Sequence, residues 1–232
     1  MKILLIAGHG GNPYDAGACA NGYKEAELTR EFVKLLKPIL SNYAEVDIAD
    51  TSKNWYEHLV RNTFNFKLYD YVLEIHFNAC VNDTKGNGQT TGTEMYVTKS
   101  EKGCAVEEKV LKHISALGLK NRGVKPQNFR VISRVKSQGV SSALLEICFI
   151  DDLDDMRIYL AKKKEVAEAV AKGIAEGFNL KAKETNTLAD ACKLLASRGI
   201  INSPDYWAKG SGYSDENTIL LIKKFAEYVR GN

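Results

Sequence analysis

Three short apolar runs limit what this chain can fold into, because each leads into a residue capable of chemistry. Ile3-Leu4-Leu5-Ile6 runs into Ala7-Gly8-His9-Gly10-Gly11, Tyr71-Val72-Leu73-Glu74-Ile75 ends at His76, and Ala143-Leu144-Leu145 ends at Glu146. Runs this apolar fit strands buried on both faces, as in parallel sheets. Ligands of open α/β sheets bind in the crevice at the carboxyl ends of such strands. Two imidazoles and a carboxylate along that rim are the side chains a hydrolytic metal site needs.

The segments between the runs carry helical spacing. Over residues 24–40, Leu28, Phe32, Leu35 and Leu36 form one apolar stripe, and Glu25 lies in the first turn, where a carboxylate suits the helix dipole. Further helices are predicted over 55–67, 101–117 and 164–178, and further strands over 44–49, 92–97 and 129–132. Residues 12–17 and 82–91 read as loops, and Asn121-Arg122-Gly123-Val124-Lys125 as a turn. The alternation predicts an α/β fold: a mostly parallel twisted sheet with helices on both faces.

A chain of 232 residues has room for one such domain and a small appendage. Residues 1–180 are assigned to the α/β domain, the polar stretch 181–186 to a linker, and 187–232 to a small all-α C-terminal domain. In the last of these, Leu188, Cys192, Leu195 and Ala196 mark one helix, and Ile219, Ile222, Phe225 and Val229 another. Gly199 ends the first, and Ser203-Pro204 starts a short helix between them. So small a unit has a marginal core and is expected to dock on the larger domain or to self-associate.

A net charge of +3 with both signs interspersed does not indicate a nucleic-acid partner. No apolar run approaches the roughly 20 residues that span a bilayer, so membrane insertion is not expected. The N-terminal run is too short for a signal peptide, so the protein is expected to be made in the cytoplasm. Five widely spaced cysteines without a C-x-x-C pair predict reduced thiols, with Cys80 and Cys148 buried in or beside apolar segments.

Catalytic zinc takes three protein ligands from His and Asp/Glu and leaves a position for water. His9, Glu25 and His76 form such a set, two of them flanking one strand-to-helix loop and the third on a neighbouring strand end. Glu146 is the candidate for the second carboxylate, which takes a proton from water and returns it to a leaving amine. Taken alone, Glu25 is equally explained as a helix N-terminal carboxylate. His58 and His113 lie on predicted helices without partners and are assigned structural roles. Glu74 shares the strand side of His76 but sits deeper, or it lies at an edge. No G-x-G-x-x-G or P-loop pattern accompanies the glycines near His9.

The runs Ala7-Gly8-His9-Gly10-Gly11, Asp15-Ala16-Gly17-Ala18 and Lys24-Glu25-Ala26-Glu27-Leu28 resemble the opening of the zinc-dependent N-acetylmuramoyl-L-alanine amidases. So do Glu74-Ile75-His76-Phe77-Asn78-Ala79, Asn121-Arg122-Gly123-Val124-Lys125 and Leu145-Glu146-Ile147-Cys148-Phe149-Ile150, in the family's order over residues 1–180. The resemblance implies cleavage of the amide between N-acetylmuramic acid and L-alanine in peptidoglycan, with His9, Glu25 and His76 on zinc and Glu146 catalytic. Glu27 is the rival to Glu25, and only one of the two can face the metal from a helix. Glu74 stands where the family often has serine, and Asp151-Asp152 where it has Ser/Thr-Asn; neither is expected to touch a ligand. The tail, through Gly199-Ile200-Ile201-Asn202-Ser203-Pro204-Asp205-Tyr206-Trp207, resembles helical C-terminal segments of clostridial wall-active proteins. There, exposed Tyr206, Trp207 and Tyr213 would stack on a wall polymer, or Trp207 would fill a small core. The combination resembles a bacteriophage or prophage endolysin, or a mother-cell lytic enzyme, acting on the wall after release. The rival readings are another zinc peptidase acting on stem peptides and a non-catalytic wall-binding protein.

Overall fold

A computed structural model, describing residues 1–10, 15–183 and 188–230, sets the three apolar runs side by side. The strands are β1 (Lys2–Ala7), β2 (Cys19–Ala20), β3 (Tyr23–Lys24), β4 (Glu45–Ile48), β5 (Tyr71–Asn78), β6 (Thr93–Val97), β7 (Asn121–Pro126) and β8 (Ser141–Phe149). Six of them form one sheet in the order β4-β1-β5-β8-β6-β7, while β2 and β3 pair separately. The first four run parallel; β6 is antiparallel to β8, and β7 is parallel to β6. Around them lie α1 (Glu25–Leu40), α2 (Trp55–Arg61), α3 (Ala105–Ser115), α4 (Arg130–Lys136), α5 (Leu153–Ala161) and α6 (Lys163–Gly177). The fold is the mostly parallel α/β architecture expected.

Strand side chains alternate between faces, so each apolar run serves two cores. Ile3, Leu5, Leu73, Ile75, Leu145 and Ile147 join the larger core with residues of α1, α3 and α6. Leu4, Ile6 and Val72 point the other way, against Trp55 and Leu59 of α2 and Val131 and Val135 of α4. On this second face α2 and α4 have seven residues each, too short to roof the whole sheet. Past Val72 the same strand face continues with Glu74 and His76, and past Leu144 with Glu146.

Two adjacent elements differ from expectation. Residues 121–126, read as a turn, form β7, an edge strand where Gly and Pro are tolerated. The predicted strand at 129–132 is instead the start of α4, whose Val131 and Val135 share a helical face. The second predicted helix ends at Arg61, and a 3-10 turn follows at Phe66–Leu68. The β2–β3 pair and α5 had no sequence signal strong enough to be anticipated. Cys148 is buried, but Cys80 is exposed, because the chain leaves the sheet after β5 with Cys80 at φ 131. All five cysteines are free. In the predicted loop at 12–17, residues 12–14 lie outside the described residues, as do 184–186 of the predicted linker.

The chain divides into two compact units, Met1–Ala182 and Lys183–Asn232. The second contains α7 (Leu188–Ser197), α8 (Pro204–Trp207) and α9 (Asp215–Arg230). Its small core is Cys192, Ile200 and Ile201, with Leu195, Trp207 and Leu221 packed against it. Tyr206, Trp207 and Tyr213 are half-buried rather than exposed, since their rings pack on one another at 4.9–5.7 Å. Ile219, Ile222 and Phe225 are exposed. The Val229 side chain lies outside the described residues. Among the described residues no helix is long and apolar enough to cross a membrane.

Helices α3 and α6 approach closely at Gly173, where a Cβ would sit 2.5 Å from the Val110 Cα. Gly173→Ala is therefore expected to destabilise the fold by about 1–3 kcal/mol, more than its gain in helix propensity returns. A denaturation midpoint equal to the parent's would contradict this packing.

Candidate metal centre

The carboxyl ends of β1, β5 and β8 and the first residue of α1 converge. His9, Glu25 and His76 each offer a ligand atom, and these atoms lie within 4.8 Å of one another. Glu25 is buried at the centre. Its Oε1 is 2.8 Å from His76 Nδ1 and accepts from the Phe77 amide at 3.1 Å. Its Oε2 is 3.0 Å from His9 Nε2 and accepts from the Ala18 amide at 2.9 Å. Glu27 points away and pairs with Lys24 at the surface, so of the two rivals Glu25 is the one that faces both histidines.

Each imidazole is backed by a second carboxylate. His9 Nδ1 lies 2.8 Å from Asp15 Oδ1, and His76 Nε2 lies 3.2 Å from Glu74 Oε1. Carboxylate–histidine pairs of this kind orient metal ligands and fix the tautomer. Asp15 is itself held by the Gly10 amide and by the Asn54 side chain. Sequence reasoning passed over Asp15, which stood only inside a glycine-rich motif, and placed Glu74 out of contact with the ligands. The structure corrects that: from the strand side it shares with His76, the Glu74 side chain reaches the ring at Nε2.

Backbone features make the approach possible. His9 adopts a left-handed conformation at φ 63, a local strain held by its surroundings. Arg30 of α1 donates to the His9 carbonyl at 2.8 Å, and Thr29 donates to the Gly8 carbonyl at 3.0 Å. A Cβ on Gly8 would meet the His76 ring at 2.4 Å, and one on Gly17 would meet Glu25 Oε2 at 2.7 Å.

The electrostatics are those of a site short of positive charge. Burial works against the charged forms of Glu25 and His76. Hydrogen bonds between them outweigh it, holding the Glu25 carboxyl well below its usual range and His76 well above. His9 shifts upward in the same way, with Glu25 overriding burial. Glu146 is the register partner of His76 across β5 and β8. Its Oε2 is sealed from solvent without a partner among the described residues. Burial, together with the carboxylates of Glu25, Glu94 and Glu74, pushes Glu146 up to about 8 despite His76. Two imidazoles, a bridging carboxylate and surplus negative charge fit a divalent cation.

Because β6 runs against β8, its first residues lie at the same rim, and Glu94 sits opposite Glu146. Glu94 is buried, accepts from Arg122 Nε at 2.6 Å and Asn78 at 2.8 Å, and also pairs with Lys125. Asp151 and Asp152 hold the loop beyond β5. Asp151 Oδ2 takes the amides of Cys80, Val81 and Asn82, and Asp152 Oδ2 takes that of Thr91. Neither touches His9, Glu25 or His76 in any bond described. His58 packs on Trp55, and His113 lies 3.0 Å from Glu176, both apart from the centre.

A cleft of about 740 Å³ opens over this rim, lined by His9, His76, Glu146 and residues of α2 and α4. A family model described as N-acetylmuramoyl-L-alanine amidase matches residues 3–177. The endolysin of Bacillus phage SPP1 is 36% identical over 194 residues, which are 78% of this chain and 67% of that protein. The N-acetylmuramoyl-L-alanine amidase CwlM of Bacillus licheniformis is 30% identical over 189 residues, 78% of this chain and 70% of that one. Among solved structures, the amidase AmiC2 of Nostoc punctiforme has the same fold, with a TM-score of 0.61 at 22% identity over 77% of this chain and 97% of its own. The catalytic domain of CwlV from Bacillus (Paenibacillus) polymyxa gives 0.59 at 23% over 78% and 100%. The chain belongs to the N-acetylmuramoyl-L-alanine amidase family.

Proposed function

We propose that the protein hydrolyses the amide joining the lactyl group of N-acetylmuramic acid to L-alanine of the peptidoglycan stem, using one zinc ion held by His9, Glu25 and His76. The observation that carries this reading is the buried Glu25 between two histidines, in a chain of this family. Zinc bound there supplies Lewis acidity, polarising the scissile carbonyl and lowering the pKa of water.

In this mechanism Glu146 takes the proton of the attacking water on its carboxylate and passes it to the alanine nitrogen as the C–N bond breaks. The water oxygen stays on the lactyl carbon, which leaves as a carboxylate, and the stem peptide leaves with a free amine. An acid with pKa near neutrality suits both halves of that transfer, and burial moves Glu146 in that direction. Asp15 and Glu74 keep the imidazoles oriented.

The setting we propose is bacteriolysis by a phage or prophage enzyme, made in the cytoplasm and released onto the wall; the identity to the SPP1 endolysin supports it. We assign the C-terminal helical unit to wall targeting or docking; Trp207 packs on its small core, so the three aromatic rings serve first to hold that unit together.

On purified walls the protein is expected to expose new amino-terminal L-alanine without new reducing sugar ends. Chelation should abolish this and zinc restore it; cleavage inside the stem peptide would contradict the reading. Glu146→Gln is expected to keep its zinc by elemental analysis and to lose about 10²–10⁴-fold in kcat, whereas near-parental turnover would move the proton transfer elsewhere. Asp15→Asn should weaken zinc affinity about 10–100-fold in a competition titration, and unchanged affinity would remove Asp15 from the centre. A chain ending at Ala182 is expected to match the full chain on soluble muropeptides but to lyse whole walls more slowly. Equal lysis would leave the C-terminal unit without a targeting role.

A further inference from the structure

The cleft has a second chemical feature at its α2 and α4 wall. Asp15, Glu57, Glu74 and Glu146 all line it, and Arg130 is the only lysine or arginine that does so among the described residues. Arg130 is half-buried, with its guanidinium 4.2 Å above the Tyr56 ring and Nη2 donating to the Tyr56 hydroxyl at 3.0 Å. These contacts hold the planar fork in place without using up its donors. Among the described residues Nη1 has no partner and Nη2 gives only one of its two N–H bonds to Tyr56, so the Nη1/Nη2 end of the fork is the free one, while Nε is sealed from solvent. Arg122 and Arg157, by contrast, are paired with Glu94 and Asp154. No carboxylate of the described protein answers Arg130.

A preorganised guanidinium with free donors is suited to a carboxylate, which it can grip through two parallel N–H bonds. On the proposed substrate the sugar side of the scissile amide is uncharged. The anionic group near that bond is on the peptide side, where the residue after L-alanine is a glutamate linked through its side chain. Its α-carboxyl is either free or amidated. We propose that Arg130, steadied by Tyr56, forms a substrate-binding subsite that selects stem peptides whose second residue carries a free α-carboxylate. This inference rests on the amidase reading and adds the feature of the substrate that the cleft discriminates.

The test uses the full-length, zinc-loaded protein and two synthetic N-acetylmuramoyl tripeptides that differ only in a carboxylate or a carboxamide at that position. The parent is expected to favour the carboxylate about tenfold in kcat/KM, mainly through KM, the scale of one charge-assisted bond partly open to solvent. Arg130→Gln should erase the preference by lowering kcat/KM on the carboxylate more than on the carboxamide, and Arg130→Lys should restore part of it. No preference in the parent, or an equal loss on both substrates in Arg130→Gln, would overturn the subsite. A second readout needs no cleavage: calorimetric titration with the free tripeptides L-Ala-γ-D-Glu-L-Lys and L-Ala-D-isoglutaminyl-L-Lys, both linked through the glutamyl side chain. The parent should bind the first more tightly, and Arg130→Gln should bind both alike. If the parent cleaves neither substrate, the amidase reading fails, and the titration decides the subsite by itself: a preference that Arg130→Gln removes supports it, and equal binding by the parent overturns it.

Discussion

A glutamate at the first residue of α1, buried and ionised, is the point on which the rest of the centre depends. An ionised carboxylate withdrawn from water is costly unless its lone pairs are met. Glu25 meets them with the amides of Ala18 and Phe77 and with one nitrogen from each of His9 and His76. Those four donors belong to the residues after β1, to the residue just before β2, and to β5. A single side chain thus fixes the mutual positions of two nearby segments and of β5, some fifty residues on. Gly8 and Gly17 matter because a side chain on either would occupy the space these groups share.

The sheet explains why the centre is open on one side only. Apolar strands feeding two faces need cover on both, and the larger core has it from the long helices α1 and α6. The opposite face has the seven-residue α2 and α4, and the strand positions that would be apolar under a complete roof are Glu74, His76 and Glu146. The reversal of β6 then brings Glu94 to the same rim, where Arg122 and Lys125 neutralise it. The cleft is a consequence of this incomplete cover, and its anionic lining suits a cation.

Much of this was legible in the chain itself. Long apolar runs and 3.6-residue stripes identified β1, β5, β8, α1 and α6, because burial on two faces or on one stripe leaves an unambiguous period. The four site candidates were legible because they stood at strand ends or opened a helix. The inversion of β7 and α4 has a physical origin. An edge strand such as Asn121–Pro126 can carry Gly, Lys and Pro, so it looks like a turn, while a seven-residue helix starting Arg-Val-Ile shows too little period to be distinguished from a strand. The carboxylates that back the histidines were missed for another reason. Asp15 meets His9 from six residues further on, a contact no periodicity encodes, and Glu74 reaches His76 through a rotamer that strand alternation permits but does not require.

The most direct measurement is zinc K-edge X-ray absorption on the full-length protein reconstituted with one equivalent of metal. A single site with two imidazole nitrogens and carboxylate or water oxygen at about 2.0–2.2 Å is the expected outcome, with the spectrum changing when Glu25 is replaced by Ala. A sulfur shell, or a spectrum indifferent to Glu25, would mean that the metal, if held at all, is held elsewhere.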